Sequence, residues 1–305
     1  MGRSALIGAC TGAAVLLCAG VFTWKWLSQP SGQLVPSLPT APETSKGILS
    51  VQDLPLKSKT FVGSRKDDYF PLPMTSALEA ELTEIFNFLA SYAPKGEDIQ
   101  KFNARKDACL RELDDRVTTL PNIVDRVILL MENKDAELVG RDYAAQHAVA
   151  MYKAMAQAHV TWSEGGQASR LRSVLMAMLE ERQSTLAGTS LLTLRTLASR
   201  YPKDFDQTRL ASKALEIVED KEASILSRTT ALRVASEAGD SRVLPQARVW
   251  VEEGGTSTLR IAAIAVIGEL GDQTDYEWLR EKRANSPYWF HPAIDRSLNM
   301  LEKRI

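Results

Sequence analysis

Cysteine is scarce in this chain. Three occur in 305 residues, and two of them, Cys10 and Cys18, fall in an apolar N-terminal stretch, leaving Cys109 alone in the remainder. A single thiol forms no internal disulfide, and no CxxC pair or Cys/His spacing suggests a metal site. Histidine is equally sparse, with His147, His159 and His291. The first two stand twelve residues apart (159 − 147) with no Glu or Cys at ligand spacing, so no zinc motif is present. His147 reads as a core or groove histidine of a helix, and His291 as part of a turn into the last helix.

The usual signatures of catalysis are missing as well. No GxSxG elbow, Walker loop or GxGxxG occurs, and no loop spaces oxygens around a glycine as a calcium site requires. The acidic groups Glu112, Asp114 and Asp115, and Glu216, Glu219, Asp220 and Glu222, lie on helices rich in bases and read as solvated faces. No catalytic residue, no metal and no cofactor are expected. A basic excess is also absent: 37 Lys and Arg face 38 Asp and Glu, for a formal net charge of -1. A protein that neutralises phosphates carries a positive stripe, so no nucleic-acid partner is expected.

What is present begins with an apolar run. Residues 5–24 are uncharged and about the length that crosses a bilayer as a helix; Arg3 precedes them, and Lys25 follows between Trp24 and Trp26. This predicts a short flank (1–4) and a transmembrane or signal-anchor helix (5–26). Charge on the N-terminal side favours a single-pass membrane protein whose soluble part is extracytoplasmic, periplasmic if the source is bacterial. A secretory signal cleaved before Val21, lipoprotein processing at Cys10 and a buried helix are the competing readings. Pro30, Pro36, Pro39 and Pro42 then mark a spacer (27–47), and residues 48–74 hold enough apolar side chains for an extended arm.

From Thr75 onward apolar residues recur at helical spacing. Thr75 and Ser76 offer an N-cap to a stripe of Leu78, Leu82, Ile85, Phe86 and Leu89, and Pro121 suits the start of a third helix. Helices are predicted over about 98–117, 121–131, 135–159, 167–183, 187–200, 206–219, 223–238, 241–253, 256–270, 273–284 and 290–303. No segment alternates as a strand does, so the chain is all-α, with an N-terminal helical region (75–118) and a repeat domain (119–305).

The repetition is specific. Arg228 matches Arg260, Ala231 matches Ala263, and the Gly-Asp pair at 239–240 matches that at 271–272, all at an offset of 32 (260 − 228). A weaker copy places Arg195 thirty-three residues before Arg228 (228 − 195), and Arg141 with Ala144 repeats the Arg-x-x-Ala spacing out of strict period. Small alanines let neighbouring helices approach. Gly239 and Gly271 suit a left-handed helix end, and Asp240 and Asp272 suit the next N-cap. The arginines are expected along the hairpin surface, bonding to carbonyls or acids of the adjacent repeat. A helix–Gly-Asp–helix unit cannot bury its apolar face alone, so copies must stack.

This pattern resembles the HEAT family, and its short Gly-Asp form is similar to the HEAT-like repeats of phycobilisome lyases. The likeness is best over 223–284, and the Tyr201-Pro-Lys-Asp turn departs from it. The resemblance implies a right-handed α-solenoid of helical hairpins with a concave face for protein binding, and by itself no catalysis. Trp250, Trp278, Tyr288, Trp289 and Phe290 cluster in the last third and are the candidate partner-binding residues, with inter-repeat filling and end-capping as the alternative. The leading expectation is a membrane-anchored, non-enzymatic scaffold for another protein. The alternative is an enzyme or enzyme subunit resembling chromophore lyases, and residues 48–118 could also form a module of their own.

Overall fold

The computed structural model describes residues 73–120, 122–157 and 166–305. The expected flank, anchor and spacer, all of the arm but Pro73 and Met74, Pro121 and His159 lie outside the described residues. Among those described, twelve α-helices and no strands are found. They are α1 (Ser76–Ala90), α2 (Ile99–Arg116), α3 (Ile123–Glu132), α4 (Leu138–Gln157), α5 (Gln167–Met178) and α6 (Leu186–Arg200). There follow α7 (Gln207–Glu219), α8 (Ile225–Glu237), α9 (Leu244–Glu253), α10 (Ser257–Leu270), α11 (Gln273–Asn285) and α12 (His291–Glu302). None of the described helices is long and apolar enough to cross a membrane.

Short polar side chains cap six of these twelve helices, because the first N–H groups of a helix have no partner within it. The Thr75 hydroxyl accepts from the Leu78 N–H, and Asp98, Asp206, Ser224 and Thr256 cap α2, α7, α8 and α10 in the same way. At α11 the cap is reciprocal: Asp272 accepts from the N–H groups of Thr274 and Asp275, while the Asp275 carboxylate accepts from the Asp272 N–H.

The even-numbered helices form one continuous layer. Each packs on the next, α2 on α4, then α6, α8, α10 and α12, and the odd-numbered helices cover them as antiparallel partners. Because an even helix meets neighbours on several sides, its buried residues are many and small: Ala144, Ala145 and Ala148 on α4, Ala231 and Ala235 on α8, Ala263 on α10. The odd helices bury one stripe, as α7 does with Leu210, Ala214, Ile217 and Val218. Packing runs through residues 118–119 unbroken, since α2 lies on α4 as α4 lies on α6.

The closest antiparallel pairs are α7 with α8 and α9 with α10, so each Gly-Asp turn joins one hairpin to the next rather than closing a hairpin. The two turns also differ. Gly239 has φ +72, with its N–H donating to the Ser236 carbonyl and that of Asp240 to the Ala235 carbonyl, the double bond of a left-handed helix stop. Gly271 does not take the expected left-handed conformation: it is extended, at φ -64 and ψ 175. Space is what requires glycine there. A Cβ would stand 2.5 Å from the Ile267 carbonyl oxygen and 2.6 Å from the Asp275 carboxylate.

Close approach within the layer has the same origin. At Gly268 of α10 an added Cβ would meet Ser297 of α12 at 2.6 Å (its Cβ) and 2.8 Å (its Cα), and the Ser297 hydroxyl donates to the Ile264 carbonyl at 2.9 Å. Gly268→Ala is therefore expected to lose about 1–3 kcal/mol through overpacking, although alanine gains about 1 kcal/mol in helix propensity over glycine. Urea unfolding of the two proteins measures it, and an unchanged or raised midpoint would contradict the packing described.

Candidate functional site

The five aromatic residues proposed for recognition do not form one surface. Trp250, on α9, is buried beneath the repeat arginine Arg228, whose guanidinium lies 5.6 Å from its ring centre. Phe290 is buried in the same relation to Arg260, at 4.6 Å. In both cases an arginine of one even helix stacks on an aromatic ring from the following hairpin, a cation–π contact that helps set the spacing between hairpins. Trp278 is half-buried on α11 with the Lys282 ammonium over its ring at 5.4 Å.

Tyr288 and Trp289 differ from these. They lie in a short 3₁₀ turn entering α12, 77% and 56% exposed, with ring centres 5.3 Å apart in an edge-on arrangement. Phe290, next in the chain, anchors that turn in the core, and the His291 ring bonds to the Ser286 carbonyl at 3.0 Å. A rigid turn thus presents two large rings to solvent. Tyrosine and tryptophan combine wide apolar area with few rotatable bonds, which is why they anchor interfaces.

Of the arginines at the Arg-x-x-Ala positions, Arg141, Arg195 and Arg260 reach carbonyls or acids, and Arg228 lies instead against the Trp250 ring. Arg141 donates from Nε to the Met131 carbonyl in the last turn of α3, and Arg260 donates to the Val251 carbonyl in the last turn of α9. Each ties the start of an even helix to the unpaired C-terminal carbonyls of its hairpin partner, where positive charge also suits the helix dipole. Arg141 further grips Glu181 with two bonds of 2.9 and 2.6 Å. Arg195 faces Glu237 of the next even helix at 4.0 Å. The Tyr201 turn packs differently: Tyr201 and Phe205 fold against the Tyr152 ring, whose hydroxyl donates to Asp204.

Helix α4 also carries a belt of buried polar groups that spacing alone did not point to. The Asp142 carboxylate accepts from Thr189 and Thr185 at the start of α6 and from Gln146, and burial pushes its pKa up in spite of these bonds. Lys106 of α2, fully buried, donates to the Ser91 carbonyl at 2.5 Å and to Glu137 at 3.1 Å; burial pulls its pKa down, and Glu137 opposes that.

His147 is indeed a mostly buried helical histidine, and both of its ring nitrogens are engaged, Nδ1 with Asp114 at 2.5 Å and Nε2 with Asp107 at 3.2 Å. Asp114 therefore turns inward to α4, unlike the solvated face its neighbours suggested. Burial alone would lower the imidazole pKa; the hydrogen bonds and charges of Asp107 and Asp114 outweigh it and push it up to about 9. Burial raises Asp114, whereas the bond from His147 and the Arg111 charge hold Asp107 below the usual carboxylate range.

Within the Asp107–His147–Asp114 triad, Asp107 is the most exposed side chain, at 24%. Burial pushes the Cys109 thiol up to about 12, which leaves it unreactive at neutral pH. Among the described residues no group of three His, Cys, Asp or Glu side chains is arranged to hold a metal ion. Two shallow depressions, of about 570 and 390 Å³, lie over α11 (Glu277, Trp278, Arg280) and over the loop after α5 (Glu180, Arg182, Asp220). In the second, the Ser184 hydroxyl donates to the Glu181 backbone carbonyl rather than to a carboxylate. Compared with known proteins, the chain matches no family model, no curated protein and no solved structure.

Proposed function

We propose that this chain is a non-enzymatic scaffold: a HEAT-like α-solenoid, tethered to a membrane through its N-terminal apolar segment, that binds another protein. The observation that carries this reading is the exposed Tyr288–Trp289 pair, held on a turn rooted by Phe290 at the end of the stack. Large exposed aromatics on a rigid support cost little ordering entropy when a partner covers them. The even-helix layer supports the solenoid reading, because a stack in which each hairpin touches its neighbours offers long surfaces rather than a closed pocket. The tether rests on the uncharged run at residues 5–24 and the proline-rich stretch after it.

The test is a photo-crosslinking side chain placed at Trp289 in the full chain in its native membrane, with Tyr92, 70% exposed at the far end of the stack, as control. A discrete protein adduct from position 289, absent from position 92, is the expected result. Adducts of equal pattern from both positions, or none, would contradict the reading. The chromophore-lyase alternative makes a separate demand, a spectral change on incubation with bilins. A reporter fused after Ile305 tests the expected extracytoplasmic side.

A further inference from the structure

The contacts between successive even helices are of two chemical kinds. Downstream they are made mostly by hydroxyls, beside the one long ion pair of Arg195 with Glu237: Ser227 donates to the Ser184 carbonyl and accepts from the Gly188 N–H, Ser236 bonds Glu269, and Ser297 bonds the Ile264 carbonyl. Between α2 and α4 the polar contacts are ionisable: Lys106 with Glu137, and His147 between Asp107 and Asp114. An imidazole with a carboxylate oxygen at each nitrogen donates to both only when doubly protonated. On losing one proton it keeps a single donor, and the other nitrogen then faces a carboxylate lone pair across a mostly buried gap.

We propose that the Asp107–His147–Asp114 triad is a proton-held latch that fastens the first hairpin, α1 and α2, to the rest of the stack, and that alkaline pH releases it locally while α8 and α10 stay packed. The surroundings leave the latch to these groups. On α2, Arg111 is held by Asp107, Asp115 adds negative charge beside Asp114, and Lys106 is tied to Glu137. On α1 and α3, Glu79 is bound by Arg126, Glu81 faces Arg116, and Asp125 is bound by Arg170 and Gln167. Helix α6 turns the hydroxyls of Thr185, Thr189 and Thr193 to α4, and on α5 Arg172 donates to the Asp204 carbonyl.

The sign follows from linkage. A histidine whose pKa is higher folded than unfolded contributes fully below its unfolded value, near 6.5, and loses that contribution as pH rises through the folded value, about 9. The latch is closed at neutral pH and opens on the alkaline side.

Hydrogen exchange on the full chain from pH 6 to 10, corrected for the intrinsic rate, tests this. Protection in α2 is expected to fall at least tenfold between pH 7 and pH 10, while α8 and α10 change less than threefold. His147→Gln should show weak α2 protection already at pH 7, with a further fall toward pH 10 smaller than that of the wild type, because only Lys106 with Glu137 is left to titrate there. An equal loss in α8 and α10, or a wild-type profile in His147→Gln, overturns the proposal. Should that variant fail to fold, ring-nitrogen NMR of the histidine-labelled wild type decides: titration of His147 near 9 supports the latch, and titration near 6.5 ends it.

Discussion

Gly140→Ala is expected to be the most damaging alanine substitution among the described glycines, with a loss of more than about 3 kcal/mol, beyond the ordinary cost of overpacking. Gly140 is in the first turn of α4, where that helix crosses the end of α1. A Cβ there would stand 2.0 Å from the Leu89 carbonyl oxygen and 3.1 Å from its carbon. Both are backbone atoms of a helix whose end is pinned, because the Glu137 N–H donates to the Ala90 carbonyl and Lys106 to the Ser91 carbonyl. No rotamer change relieves the clash, so the helices must separate and weaken these bonds together. Gly96→Ala is the control. Gly96 has φ +90 and nothing within 4 Å of an added Cβ; only left-handed strain of about 1–2 kcal/mol applies. Denaturant midpoints for the two variants should differ clearly, and equal midpoints would mean that α1 and α4 do not cross as closely as described.

The second large effect is expected from Arg141→Ala, a loss of about 3 kcal/mol. The side chain is 4% exposed and joins three elements: its own helix, the Met131 carbonyl at the end of α3, and Glu181 after α5. Truncation leaves the carbonyl unpaired in the interior. Glu181, about one quarter exposed at 27%, recovers part of its solvation, which holds the effect to the lower end of the range for a broken buried pair. Arg141→Lys should recover less than half of the loss, since one ammonium cannot reproduce the paired bonds to Glu181 and the Nε bond to Met131. Full rescue by lysine, read from thermal unfolding, would show that charge alone matters at this position.

Much of this fold is legible in the sequence because apolar spacing and capping are local. The stripe of Leu82, Ile85 and Leu89 and the caps at Thr75, Asp98 and Asp272 are written within four residues of where they act. Gly271 shows where a local pattern misleads. Its Gly-Asp pair matches that of Gly239, yet one glycine supplies a left-handed turn and the other supplies room for Asp275. Only the packed neighbour distinguishes them.

The candidate site divides in the same way. The aromatic cluster was visible, but which rings face solvent depends on Arg228 and Arg260 lying over Trp250 and Phe290. The His147 triad was hidden because its partners are 33 and 40 residues earlier, on the preceding even helix. A signal for it existed. In a stack repeating every 32 residues or so, acids about one repeat before a histidine are its natural neighbours.

The central claim is that the exposed turn at the end of the stack is where a partner protein binds, and one comparison tests it most directly. Full-length wild type and the double variant Tyr288→Ser/Trp289→Ser are purified from their native membranes, and co-purifying protein is quantified. Both side chains are more than half exposed, so the variant should unfold at the same midpoint as wild type. A defined partner recovered with wild type and reduced at least tenfold with the variant is the predicted result. Equal recovery of that partner with both proteins would contradict the account.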